Sequence, residues 1–242
     1  MYLSYKTDVG NKRDENQDSI MAAFIDENIS FAVLCDGMGG AQSGGVASDM
    51  AAKTIYNRIK DNFRPNAAPN SIRNLMLTAV HAANTLVYDK SREDIDKNGM
   101  GTTCVVALVQ DKHCYVVSVG DSRAYMLTKG GIDQITTDHT YVQMLYEQGI
   151  ITKEEQKTHK LKNVITRALG VEADVELDYF ELEPEGDFSL LLCSDGMSNY
   201  CDEQFIYDTV YGKNLDKAVD ELINYSNEQG GNDNITVAII AN

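Results

Sequence analysis

Three short apolar runs between residues 104 and 127 constrain the fold of this chain most. Cys104–Val109, Cys114–Val119 and Ala124–Leu127 are rich in valine and other apolar residues, and only four residues separate each run from the next. Connections this short join antiparallel neighbours, because a parallel pair needs a crossover of about a dozen residues or more. The runs therefore predict an antiparallel meander and argue against alternating βαβ units.

Other segments predict further strands and several helices. Strand-like runs recur at Phe31–Cys35, Phe188–Cys193 and Ile235–Ala241. Apolar residues spaced by three or four positions, which line one face of a helix, predict helices around 47–59, 72–86 and 215–223. This pattern favours helices packed on stacked antiparallel sheets. The polar segment 139–165 contains a short helix-like piece and is expected to form an appended flap.

Size and composition limit the class of protein. The chain has 242 residues, of which 43% are apolar and 24% charged, and this is ordinary usage for a globular protein. No linker rich in proline, glycine and serine divides it, so we expect one domain. No apolar run approaches the roughly 20 residues of a membrane span. The first residues also lack the apolar stretch of a secretory signal.

Charge and cysteine content narrow the partners and the compartment. The net charge is 21 − 37 = −16, which argues against nucleic acid and anionic membranes as partners. The five cysteines form no CxxC pair, and most lie in or beside apolar runs. They are typical of buried thiols in a reducing compartment, so we expect a cytoplasmic protein, with a catalytic cysteine as the less favoured alternative. We also expect the protein to be a monomer.

Five aspartates stand near the ends of apolar runs. Asp36 and Asp195 follow a run and precede a glycine, Asp121 follows another, and Asp18 and Asp233 each precede one. Taken singly, each is explained by a turn, since Asp-Gly is a frequent hairpin signal. Together they predict a divalent-cation site, because hard cations bind several converging carboxylate and carbonyl oxygens. Such cations can activate a water molecule and polarise a phosphoryl group.

Arg13 lies close in sequence to these acids, in the polar segment before Asp18. A guanidinium can bind two phosphate oxygens at once, although a solvated surface charge explains a lone arginine more simply. Competing motifs are incomplete: the glycine-rich stretch 37–42 ends in glutamine where a dinucleotide fingerprint needs glycine or alanine. Ser43 follows its strand too distantly for the nucleophile elbow of a serine hydrolase.

The chain resembles the metal-dependent serine/threonine protein phosphatases, the type 2C family, in its compact bacterial branch. The similarity runs in order over almost the entire chain. It is carried by Gly10-x-x-Arg13 with Asn16-Gln17-Asp18, Asp36-Gly37-Met38-Gly39-Gly40 with Gly44 and Ala47-Ser48, Gly101-Thr102-Thr103, Val119-Gly120-Asp121-Ser122-Arg123, Thr137-Asp138-His139, Ile165 to Gly170, Cys193-Ser194-Asp195-Gly196 and Asp233 to Val237. The resemblance implies an α+β fold, a four-layer α/β/β/α sandwich of two antiparallel sheets flanked by helices. It also implies a single phosphatase catalytic domain over residues 1–242.

The resemblance further implies the ligands of a metal centre. Asp36 would bridge two ions, the carbonyl of Gly37 would bind one of them, and Asp195 and Asp233 would bind the other. Mn²⁺ or Mg²⁺ would occupy these two tight sites. Asp121, together with Asp195, would hold a third and weaker ion.

The remaining implied roles concern the substrate. Arg13 would bind its phosphate, Asp18 and Gln17 would support metal-bound waters, and residues 139–165 would form a flap beside the active site. The implied reaction is hydrolysis of phosphoserine and phosphothreonine in proteins by a metal-bound hydroxide. It would reverse signalling by a cognate serine/threonine kinase, so phosphorylated proteins would be the partners.

Two positions depart from the family pattern. Gln17 stands where the family often has glutamate, so a charge is lost and a metal would bind more weakly there. Met38 replaces a histidine that is proposed as the general acid in some members, so the leaving group would need another proton donor. A regulatory module without turnover is the alternative function. The retention of Asp36, Asp195 and Asp233 together with Arg13 argues against it.

Overall fold

The computed structural model describes residues 1–39, 43–93 and 99–242. Gly40 of the glycine-rich motif, with residues 41–42, lies outside the described residues. The strands are β1 (Tyr2–Asp8), β2 (Asp18–Asp26), β3 (Ile29–Met38), β4 (Gly101–Thr102), β5 (Cys104–Gln110), β6 (His113–Val119), β7 (Arg123–Thr128), β8 (Gly131–Gln134), β9 (Asp178–Leu182), β10 (Phe188–Cys193) and β11 (Ile235–Ala241). The helices are α1 (Ser43–Asn62), α2 (Pro69–Glu93), α3 (Tyr141–Glu147), α4 (Lys153–Thr158), α5 (Asp195–Ser198), α6 (Glu203–Val210) and α7 (Leu215–Glu228).

The strands form two antiparallel sheets. The first sheet has the order β1-β11-β10-β7-β8, and the second has the order β2-β3-β5-β6-β9 with β4 beside β3. One apolar core lies between the sheets, a second lies between the second sheet and α1 and α2, and a third lies between the first sheet and α5 to α7. The predicted four-layer sandwich is confirmed.

Strand β3 shows why the strand sequences are continuously apolar. Its side chains alternate between two cores: Phe31, Val33 and Cys35 pack towards the helices, while Ala32 and Leu34 pack towards the other sheet. A strand covered on both faces has no solvent side, so polar residues do not interrupt it.

The meander prediction is half right. Strands β5 and β6 pair as predicted, with Cys104 opposite Val119, but β7 pairs with β10 in the other sheet. The chain therefore turns a corner between sheets immediately after β6. Gly120 makes this corner with φ +101°, a conformation that favours glycine, and a Cβ there would lie 2.6 Å from the side chain of Thr103. A short connection predicts proximity, but apolar runs alone do not reveal which layer each strand joins.

The structure also contains elements that the sequence patterns did not predict. Strand β1 is mostly exposed at a sheet edge and is held by β11, with Tyr2 opposite Ala241. Short β8, β9, α5 and α6 complete the layers.

The predicted helices correspond to α1, α2 and α7, and the 139–165 segment contains α3 and α4. All five cysteines are buried free thiols, and none of the described helices is long and apolar enough to cross a membrane.

Candidate metal and phosphate site

Asp18 and Asp36 face each other across strands β2 and β3, since the register pairs their Cα atoms. The buried Asp18 accepts hydrogen bonds at Oδ2 from Ser194 Oγ at 2.8 Å and from Thr236 Oγ1 at 2.6 Å. Both hydroxyls come from the first sheet or its edge, whereas Asp18 belongs to the second. Asp18 therefore ties the two sheets together beside Asp36.

Asp195 and Asp233 approach from the first sheet. Asp195 opens α5 directly after β10, and Asp233 precedes β11. A Cβ on Gly196 would lie only 2.0 Å from the carbonyl oxygen of Asn234, so glycine is required for α5 to pack this close to the 233–234 segment. The Asp195-Gly196 pair thus marks a close approach of two segments and not a hairpin.

Arg13 is positioned among these acids. Its Nη2 donates to Asp233 Oδ2 at 2.7 Å, and about half of the arginine side chain remains exposed. The pKa of Arg13 is raised, chiefly by this hydrogen bond and also by the charges of Asp233, Asp36 and Asp195. The structure therefore brings Arg13, the candidate phosphate-binding residue, close to the candidate metal ligands Asp36, Asp195 and Asp233.

The carboxylates repel one another. Burial, followed by the neighbouring carboxylates, raises the pKa of Asp18 to about 6 and that of Asp195 to about 6. Burial and the charge of Asp195 raise the pKa of Asp121 to about 7. The pKa of Asp36 is also raised, by burial and then by Asp18, Asp195, Asp121 and Asp233. A cation among these groups would remove this electrostatic penalty.

The donor set suits a hard divalent cation. Oδ1 atoms of Asp18, Asp121 and Asp195 are buried and accept no hydrogen bond within the described part of the chain. Oxygen donors favour Mg²⁺ or Mn²⁺ over zinc. Within residues 1–39, 43–93 and 99–242, however, no three acidic, histidine or cysteine side chains are arranged as a ready-made metal site. One candidate ligand, Asp233, is engaged by Arg13.

Gly37 lies where two backbone segments meet. A Cβ on Gly37 would lie 2.1 Å from the carbonyl oxygen of Gly44 and 2.7 Å from that of Gln17, so only glycine fits. The Gly37 amide donates to the Gln17 carbonyl at 3.1 Å, and the Gln17 amide donates to Asn234 Oδ1 at 2.8 Å. Gln17 therefore fixes the end of β3 to the start of β11, which the sequence alone did not indicate.

Thr103 connects Asp36 to the corner that carries Asp121. Its amide donates to the Asp36 carbonyl at 2.8 Å, and its Oγ1 accepts from the Asp36 amide at 3.0 Å. The same hydroxyl lies 2.7 Å from Ser122 Oγ. The sequence flagged the threonine motif only as a family resemblance; the structure shows that it links the backbone of Asp36 to the side chain of Ser122, the residue after Asp121.

His139 holds the other side of this corner. Its Nδ1 accepts from the Gly120 amide at 3.0 Å, and its own amide donates to the Gly120 carbonyl at 2.9 Å. Since Nδ1 accepts, Nε2 carries the proton of the neutral ring and donates to Asp178 Oδ2 at 3.1 Å. The buried His139 therefore has both ring nitrogens engaged.

Arg123 is not the partner of Asp121. It binds Asp138 instead, with Nε at 2.9 Å from Oδ1 and Nη2 at 2.6 Å from Oδ2. Asp121 is therefore not fixed by an ion pair with the arginine that follows it in sequence. Met38, at the end of β3, packs its methyl group beside Gly101 and has no proton to donate.

A cleft of about 740 Å³ opens beside the acidic cluster. Asp121 and Asp195 line it, together with residues of the 139–165 segment. This segment begins and ends at one place, because the amide of Thr166 donates to the His139 carbonyl at 2.8 Å. The segment thus projects from the same corner that presents Asp121.

Comparisons with known proteins identify the family of this chain. The family model of protein phosphatase 2C matches residues 11–238. The serine/threonine phosphatase stp of Listeria welshimeri serovar 6b is 35% identical over 241 residues, covering 99% of this chain and 95% of the relative. The chain therefore belongs to the protein phosphatase 2C family, and the predicted enzyme class, a protein serine/threonine phosphatase, is confirmed.

Solved structures show the same architecture. Serine/threonine phosphatase Stp1 from Staphylococcus aureus superposes with a TM-score of 0.92 at 33% identity, covering 99% of this chain and 94% of that one. The catalytic domain of PstP, a serine/threonine protein phosphatase in complex with two manganese ions, gives 0.86 at 30% identity, with 100% and 97% coverage.

Proposed function

We propose that this chain is a single catalytic domain that hydrolyses phosphoserine and phosphothreonine in proteins with the aid of divalent cations. The observation that carries the proposal is the cluster of buried, mutually repelling carboxylates from both sheets, with Arg13 at its exposed side. The PstP structure with two manganese ions supports the same chemistry.

Each residue of the cluster has a defined part. Asp36, the carbonyl of Gly37, Asp195 and Asp233 would hold two ions, Mn²⁺ or Mg²⁺, and Asp121 would share a third, weaker one with Asp195. When bound, such cations supply a nucleophile by lowering the pKa of a water molecule, and they neutralise charge on phosphoryl oxygens.

The remaining residues orient the substrate and its surroundings. Arg13 would move from Asp233 to the entering phosphate, whose oxygens can accept two parallel hydrogen bonds from the guanidinium. Asp18, already fixed by Ser194 and Thr236, and Gln17 would orient waters around the ions. The leaving alkoxide would take its proton from water, because Met38 offers none and His139 is buried with both nitrogens engaged.

The proposed substrates are proteins phosphorylated by a cognate serine/threonine kinase. The proposed enzyme is a cytoplasmic monomer. The 139–165 segment would serve as the flap beside them. This assignment is supported by the names of the relatives, the buried free thiols and the cleft that the segment lines.

A phosphothreonine-peptide assay tests the proposal. We expect turnover with Mn²⁺, loss of turnover in excess EDTA and recovery when Mn²⁺ is restored. Asp36→Asn and Asp233→Asn should lose activity by orders of magnitude, while Asp49→Asn, which changes an exposed residue paired with Lys53, should retain it. Full activity in excess chelator, or an Asp36→Asn enzyme with wild-type kcat, would reject the metal mechanism.

A further inference from the structure

We propose that the cleft beside the acidic cluster selects substrates with acidic residues near the phosphorylated side chain. The selecting groups are Lys153, Lys157 and Lys162 of the 139–165 segment, here named the lysine wall. The inference rests on the proposed phosphatase function and deepens it by naming a chemical class of substrate.

The lysine wall belongs to the same cleft as two of the candidate metal ligands. Lys153, Lys157 and Lys162 line this cleft together with Asp121 and Asp195. A peptide whose phosphate reached the acidic cluster would therefore place neighbouring side chains along these lysines. A free phosphate or a small phosphate ester would not extend along the whole cleft.

The lysines of the wall have no acidic partner. Lys6 and Lys53 are ion-paired with Asp220 and Asp49. The three ammonium groups of the wall, in contrast, form no ion pair or side-chain hydrogen bond with any residue that the structure describes. In a chain of net charge −16, three exposed cations without ion-pair partners that line one cleft are suited to an anionic ligand.

The wall is held in place by its own hydrogen bonds. Lys153 and Lys157 lie four residues apart and hence on one face of α4. Gln156 donates from Nε2 to Gln143 Oε1 at 3.0 Å and to the Val142 carbonyl at 3.3 Å, which ties α4 to α3. A capping box between Thr152 and Glu155 fixes the first turn of α4. The helix backbone that carries these cations is therefore anchored before any peptide arrives.

The rest of the cleft gives the ligand a direction. Asp202 and Glu203, at the start of α6 and outside the 139–165 segment, also line the cleft and present negative charge. Arg123 contributes no free positive charge there, because Asp138 neutralises it. An acidic substrate side chain would be attracted to the lysine wall and repelled from α6, so the charge pattern selects both composition and orientation.

Two matched phosphothreonine peptides test this inference, one with glutamates on both sides of the phosphothreonine and one with glutamines at the same positions. We expect the glutamate peptide to have the lower KM, by about three- to tenfold at low salt, as a few exposed ion pairs allow. The preference should shrink as salt is raised, because exposed charges are screened.

In wild type, the KM of the glutamine peptide divided by that of the glutamate peptide should exceed one. In the Lys153→Gln/Lys157→Gln/Lys162→Gln variant this ratio should fall close to one. The matched control is Lys160→Gln, which changes an exposed lysine of the same segment that does not line the cleft and should keep the wild-type ratio. The inference is overturned if wild type does not distinguish the peptides or if Lys160→Gln lowers the ratio equally.

Two further measurements separate this inference from the proposed function. If KM for p-nitrophenyl phosphate rises in the triple variant as much as KM for the glutamate peptide, the lysines bind the reacting phosphate and the inference fails. Fluorescence anisotropy of both peptides bound to Asp36→Asn measures the preference without turnover. Tighter binding of the glutamate peptide would support the lysine wall even if hydrolysis itself were not detected, and equal binding would reject it.

Discussion

Arg13 donates a 2.7 Å hydrogen bond to Asp233. The residue proposed to bind the substrate phosphate is therefore paired with a residue proposed to bind a metal ion. The two residues are 220 positions apart in sequence and meet because β1 and β11 are neighbours. With roughly half of Arg13 and a third of Asp233 exposed, an ion pair of this kind contributes about 0.2–1 kcal/mol. It can therefore exchange for a phosphate contact at little cost.

Replacing Arg13 by alanine should separate phosphate binding from metal binding. KM for a phosphopeptide should rise roughly ten- to a hundredfold, because the variant loses a charge-assisted hydrogen bond that contributes about 1.5–3 kcal/mol. Mn²⁺ affinity should stay within about fivefold of wild type, shifted towards tighter binding, because Asp233 is released. Calorimetric titration beside steady-state kinetics measures both, with exposed Lys12→Ala as the control. Weakened metal binding with a normal KM would contradict the assignment.

The stability of the metal-free protein should fall as pH rises. Burial and repulsion raise the pKa of Asp18 to about 6 and of Asp121 to about 7, and they raise that of Asp36 as well. The folded state therefore binds protons more tightly than the unfolded chain, and this contribution to stability is lost between pH about 4 and 7. In EDTA, Tm should be lower at pH 7.5 than at pH 5.5.

Asp36→Asn removes one of these charges without changing the shape of the side chain. The metal-free variant should melt higher than wild type at pH 7.5, and the difference should narrow at pH 5.5. Scanning calorimetry in EDTA makes the comparison, and Asp49→Asn controls for the general relief of net charge. Metal-free wild type that is more stable at pH 7.5 than at 5.5 would refute the expected sign.

Asp121→Ala should affect only the weakest metal site. A site with fewer protein carboxylates binds its ion more weakly, so the variant should bind one ion fewer per chain at high Mn²⁺ and keep the two tight ones. Phosphopeptide hydrolysis should slow, by less than in Asp36→Asn. The number of ions bound per chain is the deciding measurement. Equal stoichiometry and equal activity in wild type and variant would leave Asp121 with a structural role.

His139 should act on metal binding through the corner that it holds. His139→Asn keeps an acceptor near the position of Nδ1 for the Gly120 amide, whereas His139→Leu leaves that buried donor unpaired at a cost of about 1–3 kcal/mol. We expect the leucine variant to lose the weak Mn²⁺ phase and the asparagine variant to retain more of it. If both variants lose stability equally and keep the weak phase, His139 only supports the fold.

The sequence pointed to the carboxylates because they share one position, near the ends of apolar runs. Asp36 and Asp195 follow runs buried on both faces; a turn explains either one alone, and only the set of five predicts a cation site. The sandwich followed from the same runs, since both faces of each had to be covered. The layer of β7 could not be inferred, because pairing with β6 or with β10 satisfies the same short apolar run.

The sequence patterns also did not reveal the polar contacts between segments that are distant in sequence. Ser194 and Thr236 were visible only as motif members, and their bonds to Asp18 depend on how β2 meets β10 and β11. His139 had no periodic signal, because its partners Gly120 and Asp178 belong to a corner and to a strand that the sequence did not reveal. Such contacts are set by tertiary packing and leave no local pattern.

The origin of the candidate ligands in different sheets has a consequence for the lifetime of the protein. Asp36 belongs to the second sheet, whereas Asp195 and Asp233 flank strands of the first. Ions held by all three would fasten the sheets at one edge, so the sandwich could not open there without releasing them. Metal that binds the folded state alone shifts the unfolding equilibrium. Divalent-cation supply would then set how long each molecule survives proteolysis as well as how fast it turns over.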